Sequence, residues 1–152
     1  MYVPRGTPYI PRGTLREALA YPALSDRFVD RAYAEALEHV GLRRYVQSLD
    51  ADRRWDRELS EDEQMALTLA RVTLHAPLWV VFDDTFSSMQ DDTLRRVTFV
   101  CAQHLTGTTI IHIGRNTHAH LSLFKRVLHL TKPRADGSEK QKRPAERALR
   151  SA

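Results

Sequence analysis

One cysteine, six glycines and four lysines in 152 residues are low counts, and each excludes something. A single thiol, Cys101, can form neither an internal disulfide nor a multi-cysteine metal site, so it fits a reducing compartment and reads as a small apolar core residue. No stretch comes near the roughly 18 uninterrupted apolar residues of a membrane-crossing helix. The opening Met1-Tyr2-Val3-Pro4-Arg5 lacks the basic-then-apolar layout of a secretory signal. These absences point to a soluble chain of the cytoplasm. All four lysines (Lys125, Lys132, Lys140, Lys142) fall at or beyond residue 125.

The chain is 42% hydrophobic and 28% charged, enough apolar residues for one core. A net charge of +4 first suggests a nucleic-acid partner, but residues 132–152 hold seven basic and three acidic residues and so carry the whole excess. Residues 1–131 hold sixteen of each sign. The basic stretch has almost no apolar residues and is expected to be a disordered tail. It could meet RNA, DNA or anionic lipid, yet it has no aromatic ring to stack on a base, which argues against a specific nucleic-acid reader.

Residues 1–13 are punctuated by Pro4, Gly6, Pro8, Pro11 and Gly13 and read as a loop with a short extended piece at Tyr2-Val3. Thr14 is placed to cap a helix through Ala20. A second helix is expected from Asp26 to Val40, with Phe28, Ala32, Ala36 and Val40 on one face and Gly41 just past its end. A shorter helix follows at Arg43 to Leu49, and Asp50 to Glu58 around Trp55 reads as a loop. Ser60 with Glu63 forms a capping box, and Leu67, Leu69, Ala70 and Leu74 continue at helical spacing, so the sequence predicts a helix from Glu61 to His75.

Beyond Pro77, the run from Leu78 to Phe82 closes on Asp83-Asp84 and suggests a strand buried on both faces, as in a parallel sheet. A helix from Asp91 or Asp92 to His104, a strand from Thr108 to Ile113, a short helix near Thr117 to Phe124 and a third strand from Arg126 to Leu130 complete a βαβ pattern. The expected class is α/β.

The most informative constellation is Leu59-Ser60-Glu61-Asp62-Glu63-Gln64, a helix carrying Ala70-Arg71, then Pro77 and a hydrophobic strand ending in Asp83-Asp84. Its order and spacing resemble the C-terminal half of an ABC transporter ATP-binding domain. There, a Leu-Ser-Gly-Gly-Glu/Gln signature opens a helix ending in Ala-Arg, and the following Walker B strand ends in Asp-Glu. From Leu59 to Gln90 the likeness needs no gap. The stretch from Pro8 to Arg16, with Ala20-Tyr21-Pro22 after it, looks like the segment following the Q-loop in the branch of BacA-like bacterial and peroxisomal fatty-acyl transporters, and Trp55 fits that branch.

The resemblance covers about residues 1–131. It implies a partial P-loop NTPase fold of ABC type: a helical signature region over 14–75, a short parallel sheet with the Walker B and switch elements over 76–131, and the tail over 132–152. It further implies ATP and Mg²⁺ as cofactors. The implied partners are a transporter membrane domain and a second nucleotide-binding domain or another copy of the chain, at the cytoplasmic face of the inner membrane.

Carried over residue by residue, the likeness gives Asp83 the place of the aspartate that holds Mg²⁺ through water. Asp84 takes the place of the glutamate that positions the attacking water, one methylene shorter, where general-base geometry tolerates little displacement. Ser60, Glu61, Asp62 and Glu63 take the signature positions, with carboxylates where two glycines would approach a phosphate. Ser87 and Gln90 fall in the D-loop, Gln90 replacing its aspartate. Arg115 stands at the switch histidine, and Arg5 or Gly6 at the Q-loop glutamine.

No Gly-x4-Gly-Lys-Ser/Thr phosphate cradle occurs in the chain, so it is expected not to hydrolyse ATP alone. Read without the family, Asp83-Asp84 is a polar strand end and Ser60 a plain helix cap. His118 and His120 face two ways on a helix and make a poor metal pair, and Ser60 and Ser87 lack the surroundings of a hydrolase nucleophile. Three functions stay open: an ABC transport component, a non-catalytic interaction module derived from one, and nucleic-acid binding through the tail.

Overall fold

In the computed structural model, residues 1–6, 8–86, 89, 91–114, 124, 126–128 and 130 are described. The helix predicted from the capping box, α4, spans Glu61–His75, the bounds read from the sequence. Ser60 Oγ accepts the Glu63 N–H at 3.3 Å and Glu63 Oε2 accepts the Ser60 N–H at 3.0 Å, so two orphan donors of the first turn are satisfied reciprocally. At the far end Ala76 takes the left-handed conformation (φ 40°), and Pro77 follows. A second capping box, Thr14 with Glu17, opens α1, Leu15–Ala20.

Helix α2 runs Asp30–His39, four residues shorter at its start than expected. Val29 is extended (ψ 156°), and Tyr33 donates its hydroxyl to the Ser25 carbonyl at 2.7 Å, tying the preceding turn down outside the helix. Its buried face is Tyr33, Ala36 and Leu37, rotated from the face predicted. Gly41 at φ +80° ends it as foreseen. A 3₁₀ helix occupies Arg43–Ser48.

The stretch around Trp55, expected to be a loop, instead carries strand β3 (Asp52–Arg53) and the single-turn helix α3 (Trp55–Glu58). β3 pairs antiparallel with β2 (Gly13–Thr14). Trp55 is fully buried, its Nε1–H donating to the Ala51 carbonyl at 3.2 Å. Burying so large a ring organises the backbone around it, which a polar local sequence does not reveal.

The sheet also differs from expectation in its third member. Strands β4 (Trp79–Asp83) and β5 (Thr109–Ile113) pair in parallel as predicted, with α5 (Asp91–His104) crossing between them. The third strand is β1, Tyr2–Val3, giving the order β1-β4-β5 with Tyr2 opposite Val81 and Val3 opposite Phe82. The described residues of the segment expected to supply that strand, 126–128 and 130, are in no strand, and Leu128 and Leu130 are 83% and 95% exposed. Apolar character there is not matched by burial. The short helix expected near 117–124 and the tail fall outside the described residues, except that Phe124 is in no helix.

One sheet face, bearing Val3, Val80 and Phe82, enters a core shared with α4 and α5 residues such as Leu67, Val97 and Val100. The other face bears Tyr2, Trp79, Ile111 and Ile113, which are exposed among the described residues. Cys101 lies in the core, where burial pushes its thiol up to about 12.

The helical part is joined by a buried arginine. Arg71 of α4 donates Nε and Nη2 to the Ala18 carbonyl at 2.9 and 2.7 Å and Nη1 to the Tyr9 carbonyl at 3.1 Å, linking α4, α1 and the segment before β2. Replacing Arg71 by Leu leaves those acceptors buried without donors and is expected to lower stability by about 2–4 kcal/mol, read as the urea midpoint at constant slope.

Stability is also expected to fall with acid. Burial holds His75 below its ordinary range, and burial together with neighbouring His39 does the same for His104, whose ring stacks on that of His39 at 3.6 Å. The unfolded chain therefore takes up these protons first as pH drops through about 6.5, so the contribution present above that pH is lost below it. Urea midpoints at pH 7.5 and 5.5 measure this, and His75→Gln with His104→Gln should flatten the difference. Asp50, Asp56 and Glu63 are held below the usual carboxylate range and do not titrate in this window.

Candidate functional site

The first turn of α4 presents three acids, Glu61, Asp62 and Glu63, to the positive end of the helix dipole. Glu61 is exposed, whereas the other two are engaged. Asp62 Oδ1 accepts the Thr93 hydroxyl at 3.2 Å, tying α4 to α5. Glu63 closes the capping box with one oxygen, and its other oxygen accepts the Tyr45 hydroxyl at 2.9 Å and pairs with the Arg44 guanidinium. Burial pushes the Glu63 carboxyl up, but the Ser60, Tyr45 and Arg44 hydrogen bonds together outweigh it and hold the group below its ordinary value. Ser60 spends its hydroxyl on the helix cap.

A cavity of about 50 Å³ beside this turn is lined by Val40, Leu42, Asp62, Glu63, Thr93 and Arg96 among others. Sites for small ligands run to several hundred Å³, so it is too small for a nucleotide. A shallow groove of about 590 Å³ lies between the Pro8–Arg12 segment and Arg54-Asp56, and neither the α4 turn nor the strand-end acids line it.

Asp83 and Asp84 sit at the carboxyl end of the central strand β4, where open α/β sheets bind their ligands. Asp83 Oδ2 accepts the Tyr2 hydroxyl at 2.7 Å across the β1–β4 pair. Asp84 is left-handed (φ 47°) and donates its N–H to the Ile113 carbonyl, while Arg5 Nη1 lies 3.3 Å from its Oδ2. Both residues thus meet the start of the chain, and the α4 turn makes its contacts to Arg44, Tyr45 and Thr93. Ser87, Gln90 and Arg115 lie outside the described residues. Among the described residues no group of three or more His, Cys, Asp or Glu side chains gathers to hold a metal ion.

Mg²⁺ takes a near-octahedral shell of oxygens and keeps several waters. The acid pair does not fit that demand as it stands, because Tyr2 takes an oxygen of Asp83 and a guanidinium faces Asp84. The sequence reading located the two acids but missed Tyr2 and the ion pair. The β-compatible Tyr2-Val3 pair was the available signal, and it was too short to show which strand it joins.

Helices packed on a parallel sheet, with acids at the end of its central strand, define an α/β protein. Comparison with known proteins makes this specific. The chain is 34% identical over 110 residues to an uncharacterized ABC transporter ATP-binding protein of Haemophilus influenzae, covering 72% of this chain and 19% of that protein. It is 29% identical over 107 residues to the inner membrane ABC transporter ATP-binding protein YddA of Escherichia coli, covering 70% and 19%. Against ABC transporter D family member 1 of Arabidopsis thaliana it is 31% identical over 119 residues, covering 74% and 9%. No protein-family model matches the chain. The chain belongs to the family of ABC transporter ATP-binding proteins. It spans about a fifth of the length of the bacterial relatives.

The capping role of Ser60 predicts that Ser60→Ala lowers stability by about 1 kcal/mol, while Ser60→Gly costs only a few tenths. Urea unfolding of the two variants beside the parent reads the difference.

Proposed function

We propose that the chain is the signature and Walker B portion of an ABC transporter ATP-binding domain. It works in ATP-coupled transport as one part of an assembled domain and does not hydrolyse ATP alone. The observation that supports this most directly is the open side of the sheet. Parallel sheets are covered on both faces, yet Tyr2, Trp79, Ile111 and Ile113 are exposed on one face, and β5 pairs with β4 and with no other strand among the described residues. The sequence meanwhile lacks a phosphate cradle. A strand and helix bearing the P-loop would supply both the cover and the cradle.

In this reading residues 14–75 form the helical signature region, 76–131 the Walker B and switch region, and 132–152 a basic tail. Ser60 and Glu61 to Glu63 stand at the signature, Asp83 and Asp84 at the Walker B end, Ser87 and Gln90 in the D-loop, and Arg115 at the switch position. The nucleotide belongs to the assembled domain, which docks on a membrane domain and a second nucleotide-binding domain at the cytoplasmic face. Among the described residues no helix is long and apolar enough to cross a membrane. The same open face also favours a second reading, a non-catalytic module that binds a partner chain through it.

The test is co-expression with a polypeptide carrying the P-loop strand and helix of the Haemophilus influenzae relative. The two should elute as one complex that Ile111→Lys with Ile113→Lys disrupts, and the chain alone should show no magnesium-dependent ATP turnover. Turnover by the chain alone sinks the proposal. A dispersed monomer that ignores the P-loop polypeptide sinks both readings.

A further inference from the structure

The two acids at the end of β4 are met by side chains from the first five residues. Tyr2 stands opposite Val81 on the same face as Asp83, which brings its hydroxyl to 2.7 Å from Asp83 Oδ2. Arg5 lies just beyond the end of β1, before Gly6 turns the chain at φ +86°, with Nη1 3.3 Å from Asp84 Oδ2. The Asp84 side chain is only 15% exposed while that of Arg5 is 69% exposed, so the guanidinium reaches in from solvent to a carboxylate largely withdrawn from it.

We propose that Arg5 is the resident counter-charge of the Asp83-Asp84 pair, an in-chain cation standing where the family's chemistry would put a divalent ion, and that it closes the pair to Mg²⁺. Adjacent carboxylates repel unless a positive charge sits between or beside them, and Arg5 supplies one without any ion from solution. Arginine keeps its charge at every physiological pH, so the closure is not released by titration as a histidine's could be. The Tyr2 hydroxyl closes the other side. A phenol is protonated at neutral pH, so Tyr2 donates to Asp83 Oδ2 there. A guanidinium some 5 Å from a divalent ion in a water-rich setting weakens its binding by about tenfold or more, less at high salt.

The inference takes the meaning of Asp83 and Asp84 from the proposed function. Its test reads metal occupancy on the chain alone, so failure of the transport reading would leave the result standing. Mn²⁺ is titrated into the parent, Arg5→Gln, Arg5→Lys and Arg5→Gln with Asp84→Asn at low salt, free ion being followed by its electron paramagnetic resonance signal and fold by circular dichroism. Arg5→Gln should bind Mn²⁺ about tenfold more tightly than the parent, Arg5→Lys should stay as weak as the parent, and Asp84→Asn should remove the gain. Arg5→Met takes the place of Arg5→Gln should the latter disturb the turn. Binding by Arg5→Gln no tighter than by the parent overturns the proposal, whether both bind or neither does. A gain that survives Asp84→Asn overturns it too.

Discussion

The parallel pairing of β1 with β4 is the constraint on which the rest of the sheet and its acids depend. Only two residues of β1 are in register, but the ladder is extended at both ends. The Met1 ammonium donates to the Trp79 carbonyl, Val81 N–H donates to the Met1 carbonyl, and the buried Thr85 hydroxyl donates to the Val3 carbonyl at 3.2 Å. Because the side-chain period of a strand is two, this register puts Val3 into the core beside Phe82 and Tyr2 on the opposite face within reach of Asp83. A slip of one residue would bury Tyr2, expose Val3 and move Arg5 away from Asp84. The electrostatics at the strand end therefore follow from how the first residues enter the sheet.

The helical part rests on a different kind of contact. Arg16 donates to both carboxylate oxygens of Asp50 and to Asp30, with its guanidinium over the Tyr33 ring at 4.9 Å, so α1, α2 and the turn at Asp50 are joined at the surface. Arg71 does the corresponding work in the interior, its hydrogen bonds going to carbonyls and its guanidinium lying over the Tyr21 ring at 5.7 Å. Charge-assisted bonds to several acceptors explain how the short α1 is held in place, since it is not long enough to be stable from its own backbone bonding. The single-turn α3 is held instead by its buried Trp55 and by Gln64 Nε2 of α4, which donates to the Asp56 carbonyl at 3.1 Å.

Much of this was legible in the sequence wherever the signal was local. The Ser60–Glu63 box, the Thr14 cap, Gly41, the apolar run before Asp83 and the β-branched run after Gly107 each mark an element within a few residues of where it lies. The resemblance drawn from the signature and Walker B spacing is the family that the comparisons show. Contacts between residues distant in sequence were not legible. Tyr2 and Asp83 are 81 residues apart, and Arg71 and Ala18 are 53 apart, so no window of periodicity contains either pair. Val127, Leu128 and Leu130 failed in the opposite sense, with strand-like composition and no burial to go with it.

Arg71 also bears on the order in which the chain organises itself. α4 carries its own capping box and fifteen residues, and so has what a helix needs to form from local information. Its docking, however, requires the guanidinium to leave water, and among the described residues the hydrogen-bond acceptors that receive it are carbonyls that belong to α1 and to the segment before β2. Until residues 9 and 18 are in position, burial of α4 is opposed by desolvation of a full charge. Collapse of the helical part is therefore a concerted event, with the N-terminal segment acting as a folding partner for α4.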